Sequence, residues 1–188
     1  MGRIRQRGPR RWIAVAMCAV CTAVGVHASA LLTREEALAL AYPGATLLPE
    51  RLFLTLDEQR RAALAAGQPV TLSLIVRYVA TKNRQAMGRA YVDTHLVRTK
   101  KESLLICLDD VGAVGRVEVT AFLEPAEYRA PQPFLNQYGG KTLTDDLHLQ
   151  RALRPIAGAT LTANAVTDAV RRVLAIDQVL GHRDGVVK

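Results

Sequence analysis

The sequence predicts a single α+β domain, in which an antiparallel sheet of four or more strands is packed with helices. One long C-terminal helix completes it. From residue 70, apolar and polar residues alternate at every second position, which is typical of half-buried strands. From residue 163 to residue 180, apolar residues recur at helical spacing instead. The connections between the alternating segments are short, which predicts antiparallel neighbours and a meander backed by helices.

The first thirty residues predict an export signal. Residues 1–11 contain five arginines and no acid, residues 12–26 are uncharged and apolar, and the Ala-Ser-Ala at residues 28–30 suits signal peptidase. The alternative is an uncleaved inner-membrane anchor, because residues 12–32 approach the roughly 20 residues that a spanning helix needs. Either way, the positive-inside rule predicts a periplasmic or otherwise extracytoplasmic domain.

Export changes the meaning of the charge and of the cysteines. The formal net charge is +8, and removal of the five leader arginines lowers it to +3. The high pI is therefore weak evidence for nucleic-acid binding, and no nucleic-acid partner is expected. Cys107 is then the single remaining cysteine, so it cannot form an internal disulfide. Its apolar neighbours predict a small buried hydrophobe.

Two helices are predicted before the sheet. Thr33 and Glu36 form a capping-box pattern, which predicts a short helix that ends near residues 42–44. Thr55 is the expected N-cap of a second helix, which should stop at Gly67.

Four strands are predicted after these helices. Turns are expected at residues 82–83 and 109–112, where charged residues, Asn or Gly interrupt the apolar pattern. The strands are expected at residues 70–78, 90–96, 104–108 and 117–123.

Residues 158–162, Gly-Ala-Thr-Leu-Thr, are the most informative stretch of the chain. The two small residues let the backbone approach a ligand, and Thr162 or Asn164 is expected to cap the helix that follows. A phosphate at such a helix start is favoured by the unpaired N–H groups and the helix dipole. The same Gly-Ala-Thr occurs at residues 44–46 with no comparable helix behind it, so the tripeptide alone is equally typical of a tight turn.

Residues 155–162, together with the helix after them, resemble the FMN-binding domain of small extracytoplasmic flavoproteins. That family includes the C subunit of the sodium-pumping NADH:quinone oxidoreductase and the G subunit of the Rnf complex. Its motif reads Asp-x-x-Ser/Thr-Gly-Ala-Ser/Thr, and a dedicated flavin transferase attaches FMN to the last hydroxyl through a phosphoester. The resemblance implies that Thr160 carries the FMN, with Gly158, Ala159 and Thr162 beside it.

Two positions depart from the family motif. Arg154 stands where the family has Asp, which bears on recognition by the transferase. Ala157 stands where the family has Ser or Thr, so a hydroxyl that could bond the phosphate is missing. The resemblance covers residues 86–180 as the FMN-binding domain. Residues 31–85 are then an N-terminal segment with helices and the first strand, and residues 181–188 are a frayed tail.

The segment between the last strand and the motif has two interpretations. Glu124 could face the flavin ring from the end of the predicted fourth strand, and Phe134, Leu135 or Tyr138 could pack on that ring. Alternatively, Glu124 and the proline after it simply end the strand, and the three large residues belong to the core. The sequence leaves both open.

The implied function is FMN-dependent electron transfer outside the cytoplasm. The expected partners are the flavin transferase and a membrane-associated redox donor or acceptor. The alternative is a flavin-free periplasmic interaction module that keeps the fold. The three histidines after the leader lie far apart, and no serine lies in a nucleophile elbow, so the sequence favours a carrier or redox subunit over a complete hydrolytic or metal enzyme. The oligomeric state stays open.

Overall fold

The computed structural model describes Gly2 and residues 31–186, so the predicted leader lies outside the described residues. In the part of the chain that is described, no helix combines the length and the hydropathy that crossing a bilayer requires. The elements are α1 Arg34–Ala41, β1 Thr46–Phe53, α2 Leu56–Ala66, β2 Leu74–Lys82, β3 Gln85–Leu96, β4 Lys101–Asp109, β5 Val114–Phe122, α3 Gln132–Leu135 and α4 Thr160–Val186.

The five strands form one antiparallel sheet in chain order, β1-β2-β3-β4-β5, and the predicted single α+β domain is confirmed. The predicted boundary between residues 31–85 and residues 86–180 falls inside the β2–β3 hairpin. The N-terminal segment and the predicted FMN-binding domain therefore share one sheet. β1 was not predicted, because its sequence includes Pro49 and Glu50, which are poor strand formers. An edge strand tolerates them, since one side of it needs no partner.

The predicted capping box at Thr33 and the predicted N-cap at Thr55 are both present. The Thr33 hydroxyl accepts from the Glu36 N–H, and the Glu36 carboxylate accepts from the Thr33 N–H. Thr55 and Glu58 repeat the arrangement at the start of α2. Gly67 ends α2 with a left-handed backbone, at φ +69°. Local sequence therefore determines where these two helices begin and where α2 ends.

The main core lies between one face of the sheet and the helices α2 and α4. α1 covers part of the other face and forms a smaller cluster there, which includes Cys107. Burial raises the pKa of the Cys107 thiol to about 12, so this side chain is an inert small hydrophobe, as predicted. The predicted apolar positions of the long helix are all buried: Val166, Val170, Val173, Leu174 and Leu180.

An ion network joins the sheet to α4. Arg172 donates to both carboxylate oxygens of Asp93, at 2.8 and 2.7 Å. The His95 ring lies between Asp93 and Glu102, with ring nitrogen to carboxylate distances of 2.8 and 3.2 Å. Both carboxylates are buried, so each requires these cationic partners. The network depends on strand register, because it joins residues of β3, β4 and α4 that are far apart in the sequence. The sequence pattern therefore could not predict it.

The network makes stability depend on pH. Burial opposes protonation of His95, but its hydrogen bonds to Asp93 and Glu102 outweigh burial and raise its pKa to about 9. Because this exceeds the value of about 6.5 for an unfolded histidine, protonated His95 stabilises the fold fully below pH 6.5. That stabilisation is lost as the pH rises toward about 9. We expect the free energy of unfolding, measured in urea, to fall across this range.

The matched variants are His95→Gln and His148→Gln, since His148 lies on the exposed surface. His95→Gln should remove most of the decline, and His148→Gln should retain it. The same decline in both variants would show that another group causes it.

Candidate functional site

Residues 158–162 lead directly into α4, as the motif predicted. Gly158 has a left-handed backbone, at φ +76°, which turns the chain into the helix at little steric cost. The carbonyl of Ala159 accepts the N–H of Ala163 at 3.0 Å. Ala159 is therefore the N-cap residue, and Thr160 is the first residue of the helix.

The prediction that Thr162 or Asn164 caps the helix is wrong. Both residues lie inside α4, because the helix begins earlier than the apolar pattern indicated. The Thr162 hydroxyl is turned inward and donates to the carbonyl of Tyr128 at 2.7 Å. The true cap, Ala159, has no side-chain acceptor, so it cannot satisfy the N–H groups of the first turn. Those groups are left for water or for a ligand.

Thr160 is exposed and lies between two clefts that share the motif. The first, which we call the Arg98 cleft, has a volume of about 240 Å³ and is bounded by Arg98, Tyr128 and residues 158–162. The second, the Gln150 cleft, has a volume of about 600 Å³. Its remaining walls are Leu149, Gln150, Pro155, Ile156, Ala157 and Asn164.

Arg98 brings a positive charge to the start of α4. It lies in the turn between β3 and β4, and its guanidinium carbon is 5.9 Å from the centre of the Tyr128 ring. A cation and a helix N-terminus in one cleft both favour an anion. Sequence reasoning missed Arg98 and Tyr128, because only the folded sheet brings them to Thr160.

Glu124 supports this turn. Its carboxylate accepts from the N–H groups of Thr99 and Lys100, each at 2.8 Å, and from the Thr99 hydroxyl at 3.2 Å. The hydrogen bond from the Thr99 N–H, with that from Lys100, lowers the pKa of Glu124. Glu124 thereby positions the turn that presents Arg98. Contact between Glu124 and a flavin ring stays a prediction.

The large residues before the motif belong to the core. Phe134, Leu135 and Tyr138 are all buried, and the Phe134 and Tyr138 rings meet edge to face with centres 5.7 Å apart. The Tyr138 hydroxyl is 2.8 Å from that of Thr167 on α4. This placement agrees with the structural interpretation of the three residues.

The two departures from the family motif lie on the surface. Gln137 bonds the backbone of Arg154 on both sides, accepting from its N–H at 2.8 Å and donating to its carbonyl at 3.2 Å. The Arg154 side chain is exposed, and Ala157 presents a methyl group in the Gln150 cleft. Gln137 thereby holds the backbone of this segment in place.

No family model, curated protein or solved structure matches the chain. Fold and site together define an α+β meander whose long last helix begins at an exposed threonine beside an arginine. Among residues 31–181, whose side chains the structure describes, no group of three or more histidine, cysteine or acidic side chains could hold a metal ion. The FMN-binding family stays a prediction from the motif.

Proposed function

We propose that this protein is an extracytoplasmic FMN-binding electron-transfer protein, with the flavin joined through a phosphoester to Thr160. One observation carries the proposal. The exposed hydroxyl of Thr160 stands on the first residue of a 27-residue helix, in a cleft that also contains Arg98.

The residues of the Arg98 cleft fit a phosphodiester. Such a group has one negative charge and oxygen atoms that accept hydrogen bonds. The first-turn N–H groups of α4 can donate to it, because Ala159 offers them no side-chain acceptor. The guanidinium of Arg98, which lines the same cleft, supplies a compensating charge.

The Gln150 cleft offers room for the rest of the group. Leu149, Pro155 and Ile156 give it apolar walls, and Gln150 and Asn164 give it polar ones. Bound FMN would supply the redox chemistry, while the chain binds and orients it. The expected partners are the flavin transferase during maturation and a membrane-associated redox donor or acceptor afterwards.

The competing function is a flavin-free periplasmic interaction module. Arg154 and Ala157 favour it, because both depart from the motif and neither restores the missing carboxylate or hydroxyl.

Intact mass of the exported protein tests the proposal. Protein produced with an active flavin transferase should gain the mass of FMN less one water and absorb in the flavin bands. Protein produced with an inactive transferase should do neither. The same spectrum would show whether the leader is removed after residue 30. Colourless, unmodified protein from cells whose transferase modifies a control substrate would overturn the carrier function and favour the interaction module.

A further inference from the structure

A third cleft lies beside the motif, between α3 and the segment that leads into the Gln150 cleft. We call it the Lys141–Arg154 cleft, and its volume is about 590 Å³. Pro155 and Ile156 border both this cleft and the Gln150 cleft. We propose that the Lys141–Arg154 cleft binds a small organic anion with an apolar body, such as an aromatic carboxylate or sulfonate. This site does not depend on the proposed flavin.

The charge of the cleft is positive and uncompensated. Lys141 and Arg154 are the charged residues among its nine lining residues, and none of the nine is acidic. Within the described residues, neither side chain has an ion-pair or hydrogen-bond partner. Most other arginines among the described residues do have such a partner. Arg151, for example, pairs with Asp146, and Arg89 pairs with Asp177. An anion entering this cleft therefore meets two cations and no competing carboxylate in its walls.

The apolar part of the cleft is built before any ligand arrives. Phe134 is buried and fixed against Tyr138, and three prolines surround it in the lining. The prolines lose little freedom on binding, so their surface is available at a low entropic cost.

Backbone hydrogen bonds fix the two cationic positions as well. The Lys141 N–H donates to the Tyr138 carbonyl, and the Lys141 carbonyl accepts from the Val114 N–H, each at 2.9 Å. The Gln137 side chain bonds both the backbone N–H and the carbonyl of Arg154. Both cations of the cleft therefore belong to segments whose backbones are held by hydrogen bonds.

These features select for one class of ligand. A neutral apolar compound would leave both cations without a partner, and an inorganic anion would leave the apolar surface in contact with water. A compound with an anionic group and an apolar body uses both, which is how small-molecule sites combine affinity with orientation.

Fluorescence titration with anilinonaphthalene sulfonate tests the site, because this aromatic anion brightens when it leaves water. Phenylnaphthylamine, which has the same apolar body without the sulfonate, is the comparison probe. The exported protein is produced without the transferase, so the result is independent of flavin attachment. The variants are Lys141→Gln, Arg154→Gln and the double variant. The matched control is Arg151→Gln, an exposed arginine outside the cleft lining.

We expect each single variant to weaken sulfonate binding about threefold and the double variant about tenfold, as partly exposed charge pairs allow. Phenylnaphthylamine binding should be unchanged, and so should both affinities of Arg151→Gln. Urea unfolding of each variant verifies that the fold is intact. Sulfonate binding that is absent in the wild type, or unchanged in the double variant, would overturn the proposal. An equal loss of both probes would do so too, because the cations would then not recognise the anionic group.

Discussion

Thr160→Ala is expected to abolish covalent flavin in protein produced with an active transferase, while the fold stays intact. The substitution removes the one hydroxyl that the motif assigns to the phosphoester. Thr160 is exposed at the first turn of α4, and alanine is at least as good a helix former as threonine, so unfolding should change by less than about 1 kcal/mol. Intact mass and flavin absorbance measure the first effect, and urea denaturation measures the second.

Two further variants separate the hydroxyl from its surroundings. Thr160→Ser keeps a hydroxyl at the same place and should keep the flavin. Thr162→Val removes the other hydroxyl within residues 158–162, whose hydrogen bond to the Tyr128 carbonyl contributes about 1 kcal/mol. It should destabilise the protein slightly and still carry flavin. Peptide mapping that places the flavin on Thr162, or flavin retained in Thr160→Ala, would contradict the assignment.

The elements that sequence could predict are those determined by near neighbours. Thr33 and Thr55 start their helices through a glutamate three residues later, so short-range pattern is sufficient. β1 has no such local signal, because Pro49 argues against a strand in the local sequence. The proline is tolerated only because β1 lies at the edge of the sheet. The sequence pattern predicts a start of α4 that is later than the observed one at Thr160, again because a distant contact decides it. Thr162 resembles an N-cap, and only the distant Tyr128 carbonyl shows that its hydroxyl is used inward.

The candidate site likewise has a part that the sequence could predict and a part that only the fold assembles. Gly158, Ala159 and Thr160 are adjacent in sequence, so their approach to a helix start could be predicted. Arg98 reaches the site from the β3–β4 turn, which Glu124 braces from beyond β5. Such contacts depend on the pairing of three strands, and no spacing in the sequence encodes them.

Gly88→Ala is expected to have the largest effect on stability. Gly88 has φ +141°, a backbone conformation that is essentially restricted to glycine, next to a β-bulge in the β2–β3 pairing. A Cβ atom there would lie 2.1 Å from the Leu108 carbonyl oxygen and 3.0 Å from the Tyr42 ring. Neither neighbour can retreat freely, because the Tyr42 hydroxyl donates to that same carbonyl at 2.8 Å. Backbone strain and overpacking together should cost about 3 kcal/mol or more.

Gly181→Ala is the matched control for this substitution. Gly181 lies in α4, and a Cβ atom there would meet nothing within 4 Å beyond its chain neighbours and the adjacent helix backbone. Alanine should stabilise that helix by up to about 1 kcal/mol, because glycine is the poorer helix former. Since a small domain has a total stability of about 5–15 kcal/mol, the two variants should differ clearly in urea denaturation. A Gly88→Ala protein as stable as Gly181→Ala would show that β3 can move away from β4 at this point, and that the close approach of these strands is not required for the fold.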